Sequence, residues 1–445
     1  PEDLFLHVVL DKKRGYCLSL SVLYLAIGER LGMPLYGVVV PGHFFVRYDD
    51  GQYRYNIETT AQGALADEDH YLRSFAPPAG HKLYMRNLDK RQTLGCFFNN
   101  LGNSYSAVGD KEKAFLELSR AVQINPTLAE AHTNLGNIYL SKGQVSAAIR
   151  HYNEALKILP KDPRTLNNLG NAYMEDDKYQ QAQNAYLRAL DQDPGFLDAH
   201  RNLAQAWRRQ GLFEKAVAQI RAAIALEPYN PENYLHIGRF YLEMDNPQAA
   251  QENLLKALLY APSMTAARVE LGNAYLVMNR TDWALEEFTA AAAAGDAYEA
   301  HACFGMARCF HQQKQYDREI LAYQRVLLIE PDNIPALQNL GNALLETGQF
   351  EQAADVYQQA IQISPQSGLY YNLAVAYVKQ ENYKQALTYY LDALKIQPDY
   401  AAAHHGLAVC YYYLKNKELS LKHARIAQSL GWDVPKAVSY THLRA

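Results

Sequence analysis

No stretch of this chain approaches the ~18 consecutive apolar residues that a membrane-crossing helix needs. No block of about five like charges occurs, and a formal net charge of −4 over 445 residues gives no basic footprint for nucleic acid or anionic lipid. Neither a nucleic acid nor a membrane is therefore expected as a partner. Cysteine is scarce: Cys17, Cys96, Cys303, Cys309 and Cys410 are odd in number, widely spread and never arranged as Cys-x-x-Cys. That pattern argues against a disulfide framework and against a zinc ribbon, and makes a reducing, cytoplasmic compartment the simpler setting. A Gly-rich phosphate loop is also missing, and His70, His81, His404 and His405 have no metal-ligand spacing to nearby Cys, Asp or Glu. No cofactor and no metal are expected, and these histidines read as surface or hydrogen-bonded side chains. There is no initiating Met: the chain begins at Pro1, which leaves an upstream targeting segment, and further site residues, as open expectations. At the other end VSYTHLRA, 438–445, reads as translated cloning adaptor and is set apart from the fold.

What is present is a period. With 49% apolar and 20% charged residues the chain is globular in composition, and it is too long for one ordinary core. Gly102, Gly136, Gly170, Gly238 and Gly272 fall on a 34-residue ruler, each in a phrase like Asn-Leu-Gly-Asn-x-Tyr. The ruler meets a small residue again at Ala204, Gly305, Gly341, Ala374 and Ala408, which makes ten units over 93–434. An aromatic follows three residues later, from Tyr105 and Tyr139 to Tyr411, and an alanine twelve later, from Ala114 to Ala386. Prolines such as Pro126, Pro160 and Pro194 close the units, since proline cannot continue a helix. Each unit reads as helix, turn, helix, stop. The seventh departs from the pattern: Arg308 replaces the aromatic, Glu319 replaces the alanine, and the preceding loop has no proline, so its stacking should differ locally.

These markers resemble the tetratricopeptide repeat (TPR), whose units bury their apolar faces only against neighbours and so form an α-solenoid superhelix with a concave groove. In the first helix of each unit, apolar and small positions are spent on packing and the remainder face inward. Two residues before the small position stand Asn100, Asn134, Asn168, Asn202, His236, Glu270, Cys303, Asn339 and Asn372. One residue after it stand Asn103, Asn137, Asn171, Gln205, Arg239, Asn273 and Asn342. Positions three apart share a helix face, so the two rows predict a ladder of carboxamides, each offering a donor and an acceptor to the backbone of an extended peptide. The other reading of the same residues is that they brace neighbouring helices. The first row resembles the asparagine array in the repeat superhelix of O-linked N-acetylglucosamine transferase, a resemblance that implies a protein or peptide partner held in the groove.

Residues 1–92 carry no such period. Apolar Leu20, Leu23, Tyr24, Ile27 and Leu31 predict an amphipathic helix opening at Cys17 and stopped by Gly32 and Pro34. A helix start favours thiolate through its free N–H groups and dipole, and Lys12, Lys13 and Arg14 add positive charge. Strands are expected at 36–40, 43–48 and 52–58, the last two joined by a two-residue Asp50-Gly51 turn. That turn sets Phe45 opposite Asn56 and His43 opposite Glu58, with Phe44, Val46, Tyr48, Tyr53, Tyr55 and Ile57 on a core face. His43, Phe45, Arg47, Arg54, Asn56 and Glu58 take the other face, placing an imidazole within reach of a carboxylate.

A cysteine, a histidine and a carboxylate in this order are the parts of a thiol nucleophile, its proton shuttle and its orienting group. Arg-Gly-Tyr-Cys-Leu-Ser-Leu at 14–20, Pro-Gly-His-Phe-Phe-Val-Arg at 41–47 and Asn-Ile-Glu-Thr-Thr at 56–60 resemble the transglutaminase-like core found in bacterial proteins that also carry tetratricopeptide repeats. The resemblance implies a small α+β, papain-like domain with Cys17 as nucleophile, His43 as general base and Glu58 as third member, where transglutaminases proper usually carry Asp. Asn56 is the rival for that third role. The same resemblance includes non-enzymatic adaptors. Two functions are thus expected: a peptide-binding scaffold with an attached thiol domain acting on amide bonds, or a scaffold whose head is an inactive cap.

Overall fold

The computed structural model describes residues 17–75 and 84–432. Lys12, Lys13, Arg14, His81 and the 438–445 segment lie outside the described residues. The chain divides into two compact units, Pro1–Pro228 and Tyr229–Ala445.

The first unit begins with α1 (Cys17–Arg30), followed by β1 (Leu35–Val40), β2 (His43–Asp49), β3 (Arg54–Glu58), β4 (Ala64–Ala66) and α2 (Glu68–Phe75). The strands form one antiparallel sheet in the order β1-β2-β3-β4. α1 differs from its sequence reading. The residues it buries are Leu18, Ser19, Ser21 and Gly28, while Tyr24, Ile27 and Leu31 are exposed. The small face wins because the helix lies close to the sheet: a Cβ on Gly28 would stand 2.3 Å from Leu35 Cδ1.

The β2–β3 hairpin also departs from expectation. Asp49 opposes Arg54, Arg47 opposes Asn56 and Val46 opposes Ile57, so the loop holds residues 50–53 rather than Asp50-Gly51 alone. Side-chain capping enlarges the turn: Asp50 Oδ1 accepts from the N–H groups of Gln52 and Tyr53, at 2.9 and 2.6 Å, and Asp49 Oδ1 accepts from Gly51 N at 3.2 Å. The shift is two residues, and because strand side chains alternate with period two, every residue keeps its face. The expected division into a core face and an open face does not survive. Phe44, Val46 and Ile57 are buried, but Tyr53 and Tyr55 are exposed, and Phe45, Arg47 and Asn56 on the opposite face are buried as well. α2 covers that face, with the Tyr71 ring stacked 3.8 Å from Phe45.

After α2 the chain returns to the sheet. Met85 N donates to Val39 O and Leu88 N to Gly37 O. Asp89 then caps α3 (Lys90–Ala107) reciprocally with Gln92. From α3 to α22 (Lys417–Ser429) the described residues form twenty consecutive helices in pairs, four pairs in the first unit and six in the second. Where the small residue of a unit is glycine the reason is steric: a Cβ on Gly136 would meet the Tyr152 ring at 2.6 Å, and one on Gly170 the Tyr186 ring at 2.4 Å. In the second unit, Glu319 takes the alanine position of its repeat and is 2% exposed. Burial pushes its carboxyl pKa up, partly offset by His311, whose Nδ1 lies 3.1 Å from Oε2. Arg308, in the aromatic position, reaches Asn273 Oδ1 at 3.5 Å.

One core joins the head to the first repeats. Leu18 and Phe44, the chain neighbours of Cys17 and His43, cluster with Leu88, Cys96, Ala121, Leu128 and Ala131. The terminal apolar face of the array is therefore covered by the elements that carry the thiol and the imidazole.

Candidate functional site

α1 presents Cys17 and β2 presents His43. The thiol and the imidazole interact, and the Phe44 and Leu18 backbone N–H groups also act on the sulfur. On the far side of the ring, His43 Nε2 lies 2.7 Å from Glu58 Oε2, with both side chains largely buried. With Nε2 engaged by the carboxylate, Nδ1 is the nitrogen left for sulfur. Burial pushes the Cys17 thiol up, but the His43 hydrogen bond, the Phe44 N–H and the imidazole charge outweigh it, and the thiol sits below its ordinary value. His43 moves the other way. Burial pulls its pKa down, and the bonds to Cys17 and Glu58 more than reverse this, leaving it raised. Burial likewise raises Glu58, while Thr60 and His43 hold its carboxyl below the usual range. All three shifts favour a thiolate, an imidazolium and a carboxylate in series.

Asn56, the rival third member, turns elsewhere. Its Oδ1 accepts from Arg47 Nε at 2.7 Å. The buried Arg47 guanidinium also donates to Met85 O at 2.9 Å, Glu68 Oε1 at 3.0 Å and Asn87 Oδ1 at 3.4 Å, knotting β2, β3, α2 and the 85–87 segment together. Of the two candidates, Glu58 is the one that touches the imidazole.

Around this series stand residues that the sequence reading did not single out. Thr60 donates to Glu58 Oε1 through its hydroxyl at 2.6 Å and its N–H at 3.3 Å. Tyr71 OH donates to Glu58 Oε2 at 3.4 Å. Thr59 Oγ1 donates to the Cys17 carbonyl at 3.3 Å and lies 2.9 Å from Ser21 Oγ. Phe75 stacks on His43, centroids 4.8 Å apart and planes 5° from parallel. The adjacent threonines were visible in the Glu-Thr-Thr motif; Tyr71 and Phe75 were not, because nothing local marked α2 as the cover of this face.

The first row reaches back to asparagines of the preceding repeat, two of which, Asn99 and Asn167, stand outside both rows. Asn134 Nδ2 donates to Asn99 Oδ1 at 2.9 Å, Asn168 Nδ2 to Asn137 Oδ1 at 3.0 Å, Asn202 Nδ2 to Asn167 Oδ1 at 3.0 Å, and Asn372 Nδ2 to Asn342 Oδ1 at 3.5 Å. The second row ties the two helices of its own unit: Tyr152, Tyr186 and Tyr357 donate to Asn137, Asn171 and Asn342 at 2.8, 2.7 and 2.7 Å. Asn273 donates to Glu270 Oε2 at 3.4 Å, and Asn339 bonds Tyr323. Asn103, Asn137 and Asn342 are exposed, and Asn100, Asn134, Asn168, Asn171, Asn202, Asn273, Asn339 and Asn372 are half-buried. Bracing thus accounts for part of the ladder, since each of these bonds commits an amide proton or a carbonyl to the stack.

Of the other histidines, His70 is exposed on α2, His404 bonds His423 and the Pro398 carbonyl, and His405 stacks on Trp432. Among the described residues no group of three or more His, Cys, Asp or Glu could hold a metal ion, and no helix is long and apolar enough to cross a membrane.

Comparison with known proteins assigns both parts of this arrangement. Residues 1–93 match the transglutaminase-like superfamily. Residues 102–143, 136–177 and 341–381 match the TPR repeat, and 167–231 and 269–336 the tetratricopeptide repeat, as do 231–264, 322–354 and 369–400. The chain is a transglutaminase-like domain followed by tetratricopeptide repeats. Among curated relatives, UPF0162 protein PA3419 of Pseudomonas aeruginosa is 25% identical over 134 residues, 30% of this chain and 50% of that protein. The BBSome complex member BBS4 of Bos taurus is 28% identical over 178 residues, 40% of this chain and 34% of that one. F-box only protein 21 of Mus musculus is 32% identical over 87 residues, 20% and 12% respectively. The transglutaminase-like repeat chain therefore spans half or less of the length of these relatives. Among solved structures, yeast Tom70 aligns over 76% of this chain and 85% of its own, at 15% identity and a TM-score of 0.40. YrrB, a TPR protein with an unusual peptide-binding site, aligns over 39% and 89%, at 21% identity and a TM-score of 0.35.

Proposed function

We propose that the repeats capture an extended polypeptide and that the N-terminal thiol domain acts on an amide bond of it, as a peptidase, an amidase or an acyl-transfer enzyme. The observation that carries this reading is the unbroken contact from the Cys17 thiol through His43 to Glu58, closed by the 2.7 Å Nε2–Oε2 bond. In the proposed cycle the Cys17 proton passes to His43, and Glu58 stabilises the imidazolium that forms. The thiolate attacks the amide carbonyl carbon, the C–N bond breaks, and the imidazolium delivers its proton to the departing amine. A thioester remains on Cys17. Water or a second amine then attacks it, with His43 taking the proton of the attacking group and returning one to sulfur. Substrate positioning falls to Asn134, Asn168 and Asn202, half-buried side chains whose amides are each held by a bond to the preceding repeat.

A second reading has its own support. The Leu18–Phe44 cluster with Cys96, Ala121, Leu128 and Ala131 is what a terminal cap requires, and a cap alone would leave an adaptor that binds without chemistry. An electrophilic peptide probe, followed by mass-spectrometric site mapping, separates the two. The catalytic reading predicts labelling at Cys17 that is lost in Cys17→Ser and reduced about tenfold when Asn134, Asn168 and Asn202 are replaced together by Ala, with the fold intact. A probe that binds yet leaves Cys17 unlabelled supports the adaptor. Binding that survives the triple replacement assigns those asparagines to bracing alone.

A further inference from the structure

Glutamate is a poorer orienting group than aspartate unless something holds it, because its extra methylene adds a rotatable bond between the backbone and the carboxylate. Here the carboxylate is held on both oxygens. Oε2 faces His43 Nε2 at 2.7 Å and receives the Tyr71 hydroxyl at 3.4 Å, while Oε1 receives both the hydroxyl and the N–H of Thr60 at 2.6 and 3.3 Å. The residue between them reaches the nucleophile's helix: Thr59 Oγ1 bonds the Cys17 carbonyl and Ser21 Oγ. Three consecutive residues thus set the acceptor, its orientation and its distance from the sulfur-bearing helix.

We propose that Glu58-Thr59-Thr60 works as one clip, in which Thr60 is the positioning residue that turns the Glu58 carboxylate toward His43 and Thr59 docks the Cys17 helix against it. The inference rests on the thiol reading above and extends it. Without the Thr60 donors, Glu58 gains rotamers that leave His43 Nε2, and the imidazolium loses its nearest counter-charge. The thiolate then loses its partner in turn, so the consequence of an exposed side chain appears at a sulfur it does not touch. Thr60 is exposed, so its replacement leaves the packing of the domain alone.

The test is the pH dependence of iodoacetamide alkylation at Cys17 in the full chain, read by peptide mapping, with the thermal midpoint as fold control. The other four cysteines are buried, which keeps the signal specific. Thr60→Val keeps the shape and removes the hydroxyl; it is expected to move the acid limb of the profile up by about one pH unit, roughly a tenfold loss of rate on that limb. Thr60→Ser restores the donor and returns the limb to within about twofold of the parent rate. Thr59→Val breaks the bond to the helix and is expected to slow alkylation at all pH values rather than shift the limb. A Thr60→Val profile that overlays the parent overturns the clip while leaving the thiol reading standing. A parent profile that already titrates at about 8.5, like a free cysteine, removes both. Should the valine variant lower the thermal midpoint, Thr60→Ala gives the same readout without the β-branch, and an unshifted limb there counts against the clip equally.

Discussion

In the repeats, a polar side chain is bonded to a residue that the period supplies again and again. Tyr152, Tyr186 and Tyr357 each donate to an asparagine at the same separation, and asparagine amides reach back to the preceding unit. In the head, each polar bond is used once. His43 meets Glu58, Ser21 meets Thr59 and Arg47 meets Asn87, pairings separated by 15, 38 and 40 residues. Under the proposed function, redundant contacts spread recognition over many positions, tolerant of any one loss. Contacts without copies, under the same proposal, leave the chemistry to single residues. The head is the fragile partner for reactivity, and the array is the fragile partner only where its period meets a steric limit.

That contrast can be broken in the array at its steric limit. Gly136→Ala places a Cβ 2.6 Å from the Tyr152 ring and is expected to destabilise the first unit by about 1–3 kcal/mol, measured by chemical denaturation. A neutral result would mean that the helix pair separates without cost and that the small position is not what sets the packing. Tyr152→Phe sharpens the same comparison. It removes one of several equivalent hydroxyl–amide bonds, to an Asn137 that water can solvate, and should cost about 0.5–1 kcal/mol with no change at Cys17. A loss as large as that of Gly136→Ala would show that the repeats depend on single polar contacts as the head does.

Legibility in the sequence followed the same line. The 34-residue spacing could be read because each marker recurs, and Gly136 or Ala148 means what its copies mean. In the head the reading reached Cys17, His43 and Glu58 through their residue types and the alternation of β2 and β3. It misjudged the turn, because the carboxylates of Asp49 and Asp50 recruit backbone donors as far as Tyr53 and lengthen the loop. The two-residue error preserved the faces, so His43 and Glu58 stayed on one side despite a wrong register. The covering of that side was invisible: α2 is short, and only its tertiary stacking on Phe45 and His43 gives Tyr71 and Phe75 their place. The asparagine rows were legible as rows, but their bonds to Tyr and to one another depend on how helices pack. α1 was read by its apolar face, whereas the residues it buries are Leu18, Ser19, Ser21 and Gly28, the last leaving room for the Leu35 side chain.

The proposed reactivity of the head comes down to the state of one sulfur atom. The rate of Cys17 alkylation as a function of pH, in the full chain and in His43→Ala, measures it. A thiol lowered by its imidazole partner reacts as thiolate below the ordinary cysteine range of about 8.5, and removal of His43 leaves only the Phe44 and Leu18 N–H groups to oppose burial, so the acid limb moves upward. At pH 6.5 a thiol of ordinary pKa is only about 1% ionised, so the expected loss in His43→Ala at that pH is between tenfold and roughly a hundredfold. Superimposable profiles for the two proteins would contradict the account and leave the head as a cap on the repeats.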